Sequence, residues 1–230
     1  MVSKSSVAGY DDRFYESLAD VYLHYDRWTK LRMDQVLKMV QPRRNDAILD
    51  LGCASGATAH FCSQCGAKVI GVDNSPLAIK KAKEHFSHTD IQFLERDVSD
   101  LHGMEDEFFD KVVATDLVEH ITQDVFEGMV KESYRVLKKG GSISIYTPNP
   151  VHIIEILKAH NFILKQNPTH IDLKTMKRIV NTLNRYNFII GVAYYTASFL
   201  PVFKHIECML KPLPLVGRYF RYRICVTGIK

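Results

Sequence analysis

The chain has one tryptophan, an odd number of cysteines, and no apolar run long enough to cross a membrane. Its longest greasy stretch, Phe188 to Phe203, covers 16 residues and is broken by Gly191, Thr196, Ser198 and Pro201. A spanning helix needs about 20 predominantly apolar residues, so none is expected. The opening Met1-Val2-Ser3-Lys4-Ser5-Ser6 has no apolar segment of the secretory kind. The 5 cysteines are scattered rather than arranged as a framework, which suits a reducing, cytoplasmic compartment. Cys62-Ser63-Gln64-Cys65 has no second Cys or His pair at zinc-finger spacing, so helix-face packing is preferred to a zinc or redox role. Acids are scarce late in the chain. Residues 151–230 hold 12 Lys/Arg against 3 Asp/Glu, whereas residues 1–150 hold 18 against 23. The net charge of +4 therefore conceals a basic final third. That third is either a solvated face or an attractor for an anionic substrate, a lipid headgroup or an RNA backbone.

At 230 residues, with 46% hydrophobic and 24% charged residues, the chain fits one α/β domain with a substantial core. The stretch that organises it is Ala47-Ile48-Leu49-Asp50-Leu51-Gly52-Cys53-Ala54-Ser55-Gly56-Ala57. A buried strand carries an acid near its carboxyl end, and a turn of small residues leads into a helix at Thr58. In open α/β sheets, ligands bind outside the carboxyl ends of the strands. Gly52 and Gly56 let the backbone approach a ligand where a Cβ would collide. Cys53 and Ala54 complete the turn. The spacing is Asp-x-Gly-x-Ala-x-Gly, unlike the one-three-six glycines of a dinucleotide site. Asp50 would repel a pyrophosphate but suits a cationic ligand, which disfavours a nicotinamide dehydrogenase.

Further strands read as Lys68–Val72, ending at Asp73-Asn74, and Ile91–Arg96, ending at Asp97-Val98. Two more read as Asp110–Thr115, ending at Asp116-Leu117-Val118-Glu119-His120, and Ser142–Tyr146. Asp73 lies 21 residues beyond Gly52, near the offset of about 20 at which an acid meets ribose hydroxyls. Ser75 and Pro76 read as the cap and first residue of a helix. The third strand is expected beside the first, with Asp97 accepting from an adenine amino group and Val98 packing on the ring. A helix through Phe126, Met129, Val130, Tyr134 and Leu137 is expected to stop at Lys138-Lys139-Gly140-Gly141. Residues 151–187, with two helical patches around Asn167-Pro168-Thr169-His170, read as an insertion over the site. Phe188–Tyr195 and Tyr222–Ile229 read as the last strands, joined by a Pro-rich apolar loop. Alternating strands and helices predict a doubly wound sheet. Residues 10–42 read as a helical cap, whose Tyr15, Tyr22 and Tyr25 are core residues or could close over a ligand.

The ordered set Asp50-Leu51-Gly52, Asp73, Asp97-Val98, Phe109-Asp110, Glu119-His120, Leu137-Lys138-Lys139-Gly140-Gly141 and Thr147-Pro148-Asn149 resembles class I S-adenosylmethionine-dependent methyltransferases across residues 45–150. Ala54 stands where that family usually has its middle glycine. The resemblance implies a Rossmann-like, mostly parallel seven-stranded sheet with an antiparallel last strand, in one domain over residues 1–230. It implies S-adenosylmethionine as methyl donor, held by Asp50, Gly52, Cys53, Ala54, Gly56, Asp73, Asn74, Asp97, Val98 and Thr115.

Methyl transfer requires the acceptor to be positioned and deprotonated. Asp116, Glu119 and His120 would share one face of a helical turn, and a histidine is a suitable base. The stretch resembles the Glu-x-x-Glu-His motif of ubiquinone-pathway O-methyltransferases and small-RNA 2′-O-methyltransferases, where it holds a divalent cation. Here Asp116 replaces the first Glu, and His170 would be the downstream partner. Two carboxylates and two imidazoles allow Mg, Mn or Zn. No metal is assigned, and a metal-free His120 or His170 base is preferred.

The expected activity is O-methylation of a small hydroxylated or carboxylated metabolite, anionic or lipid-linked; N-methylation is an open alternative. Phe199-Leu200-Pro201-Val202-Phe203 could hold the protein at a membrane surface. RNA is disfavoured as a partner, because the alternation of Tyr219-Phe220-Arg221-Tyr222-Arg223 is more simply a sheet edge. A binding module without activity is the reading from a different class, and the Asp116/Glu119/His120 cluster argues against it. Oligomeric state is unread.

Overall fold

In the computed structural model, residues 27–87, 89–161, 165, 167–198 and 201–230 are described. Tyr15, Tyr22 and Tyr25, most of the expected 10–42 cap, and Phe199 and Leu200 lie outside them. The elements are α1 (Arg27–Val40), β1 (Ala47–Leu51), α2 (Ala57–Gln64), β2 (Lys68–Asp73), α3 (Pro76–His85), β3 (Gln92–Glu95) and β4 (Phe109–Thr115). After them come α4 (Gln123–Val136), β5 (Leu137–Pro148), α5 (Ile153–Ala159), α6 (Met176–Arg185), β6 (Ile189–Tyr195), α7 (Pro201–Leu210) and β7 (Arg223–Ile229). Short 3₁₀ turns occupy Val118–His120 and Gly217–Phe220.

The sheet has 7 strands in the order β3-β2-β1-β4-β5-β7-β6. β1 to β5 run parallel, and β7 is antiparallel to both its neighbours. This is a Rossmann-like, doubly wound fold, and strand order reverses between β1 and β4. Both faces are covered, so the central strands read as continuous apolar runs. Successive side chains point to opposite faces. Leu49, Val112, Ile145 and Val226 face one core with Phe126 and Met129 of α4 and Ile179 and Leu183 of α6. Ile48, Val113, Tyr146 and Cys225 face a second core with Met33 and Val36 of α1 and Phe61 of α2.

The structure corrects several expectations. β3 pairs with β2 at the sheet edge and not with β1, because strand order runs outward from the switch point. Helix α4 ends at Val136, and Leu137 begins β5. Lys138-Lys139-Gly140-Gly141 therefore lies in a strand. Its register shifts opposite Phe109 to Lys111, Gly140 is left-handed at φ 77°, and Lys138 Nζ pairs with Asp110 Oδ1 at 2.8 Å. The buried Leu137 side chain outweighs the helix-stop pattern. Of the 151–187 insertion, α6 is a scaffold helix that buries Ile179 and Leu183. The expected loop between the last strands contains α7 and the second 3₁₀ turn. Among the described residues, no helix is long and apolar enough to cross a membrane.

Candidate functional site

The turn after β1 is built mainly from backbone. Gly52 (φ 66°), Ala54 (φ 47°) and Gly56 (φ 89°) all take left-handed conformations. A methyl added to Gly52 would sit 2.6 Å from Leu117 Cδ1, and one on Gly56 would sit 2.7 Å from Phe93 Cζ. Asp73 ties the turn to β2: its Oδ2 accepts from Ala54 N at 3.0 Å and its Oδ1 from Ser75 N at 2.9 Å. Cys53 is buried, and its N–H donates to Val72 O at 2.9 Å. Helix α2 begins immediately after Gly56 with no side-chain cap, and the Ala59 N–H in its first turn bonds Asp50.

Asp50 is 1% exposed, and its Oδ2 has no hydrogen-bond partner among the described residues. Burial pushes its carboxyl up to about 8 despite a backbone bond from Ala59. Burial also raises Asp73, against the pull of the Ser75 and Ala54 N–H groups. An uncompensated buried carboxylate is costly. A cationic group at this turn would supply what Asp50 lacks. Thr115 Oγ1, at the end of β4, is a second buried polar atom with no partner among the described residues. Asn74 is exposed beyond Asp73. Asp97 is exposed, and its Oδ1 accepts from Ser99 N at 2.8 Å and Ser99 Oγ at 2.6 Å. Val98 is 6% exposed and belongs to the same buried core cluster as Leu101.

The turn after β4 is built from side chains. Leu117 packs on Gly52, so the two turns touch. Asp116, at φ 49°, is ion-paired with Arg32 of α1 and Arg223 of β7. It is therefore committed to two guanidinium groups, and the expected single face with Glu119 and His120 does not form. Glu119 is 1% exposed and accepts from Thr147 Oγ1 at 2.9 Å. Burial raises its carboxyl, opposed by Arg223 and Arg32. His120 Nδ1 lies 2.9 Å from the Thr169 carbonyl. A carbonyl only accepts, so Nδ1 carries the proton and Nε2 is the basic nitrogen. The His120 and His170 rings meet edge-on, with centroids 4.9 Å apart. Burial lowers His120. Burial and the neighbouring His120 pull His170 down to about 4, so both imidazoles are neutral near pH 7.

Glu119, His120 and His170 each offer one donor atom, and these lie within 4.8 Å of one another. A carboxylate and two neutral imidazoles fit a divalent transition metal, and the Nδ1 bond to Thr169 resembles the outer contact that orients a ligand imidazole. Asp116, held by the arginines, is not among the donors.

Sequence reasoning missed what holds this arrangement. Lys174 is fully buried, and its Nζ donates to the carbonyls of Val118 and Ile121, both at 2.7 Å, and of Asp172 at 3.2 Å. Ile171 N and Asp172 N donate to Glu119 O at 3.0 and 3.2 Å. Arg178 grips Asp172 at 2.7 and 2.9 Å. The segment carrying His170 is thus stapled to the turn carrying Glu119 and His120. No local pattern marks Lys174, Arg32 or Arg223; Thr147 was visible only as part of Thr-Pro-Asn. Cys62 is buried on α2 and Cys65, the residue just past its end, is exposed, both as free thiols.

Comparison with known proteins bears on this geometry. Residues 48–141 match the family model described as "Methyltransferase domain". The mitochondrial ubiquinone biosynthesis O-methyltransferase of Rattus norvegicus is 33% identical over 122 residues, covering 51% of this chain and 35% of that protein. The ubiquinone biosynthesis O-methyltransferase of Pelagibacter ubique is 27% identical over 177 residues, covering 76% and 60%. The chain therefore spans less than two thirds of either relative. An S-adenosylmethionine-dependent methyltransferase structure from Archaeoglobus fulgidus superposes with TM-score 0.72 at 19% identity, over 94% of this chain and 100% of that one. The last comparison concerns fold alone.

Proposed function

The chain carries a class I S-adenosylmethionine-dependent methyltransferase domain, and from that premise we propose that it O-methylates a small hydroxylated acceptor with His120 as the base. The observation that carries this reading is the convergence of Glu119, His120 and His170 within 4.8 Å, on a turn whose Leu117 packs against Gly52. S-adenosylmethionine supplies a methyl group on a sulfonium, already a good electrophile. Asp50, with its unpartnered buried oxygen, answers the cationic end of such a donor. Asp73 answers the ribose hydroxyls, with Asn74, Asp97 and Thr115 as the further donor-side residues.

The chain's remaining work is on the acceptor. Neutral His120 takes the hydroxyl proton on Nε2 as the oxygen becomes a nucleophile. The Thr169 carbonyl holds the ring in that tautomer and favours the imidazolium that results. Glu119 lies beside it, its carboxyl raised by burial against the pull of Arg223 and Arg32. The excess of Lys and Arg over residues 151–230 favours an anionic or lipid-linked acceptor. A second reading has a divalent cation at the same three residues binding the acceptor oxygens, and the donor set fits it.

Calorimetric titration of S-adenosylmethionine and its demethylated product, with and without Mg²⁺ or Mn²⁺, tests the donor site. A methyl-transfer screen over phenols, sugars, carboxylates and short RNAs tests the acceptor. Adenosyl binding lost in Asp73→Ala, with transfer to a hydroxyl lost in His120→Ala, supports the reading. No adenosyl binding sinks it, and binding without transfer to any acceptor favours a module without activity. Loss of transfer on chelation selects the metal-dependent version.

A further inference from the structure

Residues 196–222 join β6 to β7, and they leave and return at the same edge of the sheet as the candidate site. Thr196 N bonds to Arg223 O and Tyr222 N to Thr196 O, while Arg223 pairs in register with Pro148 at the carboxyl end of β5. Helix α7 is anchored on its inner side. Glu207 is 1% exposed; its Oε1 accepts from His152 Nε2 at 3.0 Å and its Oε2 from Ser198 N at 2.5 Å. His152 Nδ1 accepts from Ile154 N at 3.3 Å, which places the proton on Nε2. The chain after α7 folds back on the helix end. Leu213 N bonds to Leu210 O and Gly217 N to Leu213 O, and a side chain at Gly217 would run into the Lys211 carbonyl.

Among the described residues, the outer side of this built unit is apolar and uncovered. Met209 is 75% and Leu215 83% exposed, with Ile206, Leu213 and Val216 each at least 40% exposed. Around them stand Lys204, Lys211 and Arg218, all exposed. The one acid in residues 196–222 is Glu207, turned inward to His152. Clustered exposed apolar side chains mark an interaction surface. An apolar face ringed by cations, with no exposed acid in residues 196–222, matches the interface of an anionic bilayer, where acyl chains take the apolar groups and headgroups take the lysines and arginines.

We propose that the α7 unit, residues 201–220, is a docking surface for an anionic lipid membrane, with Met209 and Leu215 as the inserted side chains. It seats the carboxyl edge of the sheet against the bilayer. The proposal stands independently of methyl transfer.

The test is flotation of the full chain with phosphatidylcholine vesicles, with and without phosphatidylglycerol. Flotation is expected only with phosphatidylglycerol and should weaken as salt rises. Met209→Glu with Leu215→Glu should lower the bound fraction roughly tenfold or more, and Lys211→Glu by less. Circular dichroism and adenosyl-ligand calorimetry should match wild type in both variants, separating lost docking from lost folding and from failure of the donor site. Absence of flotation for the wild-type chain, or equal flotation of the double variant, overturns the proposal. So does light scattering that shows a dimer dispersed by the double variant without flotation, since the face would then join two copies of the chain.

Discussion

The turns after β1 and β4 touch through Gly52 and Leu117, yet they are made in opposite ways. The first is nearly all local: residues 50–56 bend on left-handed backbone, and one carboxylate from the next strand ties them down. The second draws Arg32, Thr147, Thr169, His170, Lys174 and Arg223 from across the chain to orient Asp116, Glu119 and His120. A backbone turn serves a ligand of constant shape. If the first turn meets the donor as proposed, a site stapled by distant side chains can change acceptor by changing the staples without disturbing that turn.

The largest effect should come from the second turn. His120→Ala should lower kcat by about 10²–10⁴-fold while leaving adenosyl affinity unchanged, as steady-state kinetics and calorimetry would show. A comparable loss of donor affinity would mean that the turns are not separable. The acid limb of kcat/KM should fall below pH 6.5, because burial lowers His120 from that ordinary value and the base acts only when neutral.

Lys174→Met comes next. It strands the carbonyls of Val118, Ile121 and Asp172 and should cost about 2–4 kcal/mol in denaturant unfolding. It should also lower kcat more than it raises the adenosyl Kd. Gly52→Ala should cost about 1–3 kcal/mol through its left-handed backbone and the collision with Leu117. That substitution should lower donor affinity more than His120-dependent turnover, as calorimetry and steady-state kinetics would show; an equal loss of both would mean that the contact with Leu117 couples the turns.

The pH dependence of Asp50 sharpens the comparison further. Its folded value of about 8 lies above the ordinary 3.8, so the folded state holds the proton more tightly. Its contribution to stability is then fully present below pH 3.8 and is lost as pH rises toward 8. A cationic ligand favours the ionised form, so adenosyl affinity should rise by up to roughly tenfold between pH 7 and 9. Asp50→Asn should flatten both trends. The smallest effect is Ala54→Gly, which relieves an alanine at φ 47° and should stabilise the chain by up to about 1 kcal/mol, with donor affinity little changed.

The sequence alone determined which stretches form the sheet's strands, the turn after β1, and the acids at the strand ends. These are encoded within a few neighbouring residues: alternating apolar runs, small residues where φ must be positive, and an acid at a set distance. It also placed Glu119, His120 and His170 on the list of chemical residues, through a motif rather than through geometry. What it misread was decided at long range. Leu137 belongs to a strand because the core beside Phe109 takes its side chain, although its neighbours spell a helix stop. Asp116 leaves the expected cluster because Arg32 and Arg223, distant in sequence, reach it first. The α7 unit reads as a loop in sequence because its Pro-rich composition hides a helix pinned by one buried His152–Glu207 pair. Local backbone preference can be read from adjacent residues, whereas the partner of a charge or the core that receives a side chain exists only once the chain has closed on itself.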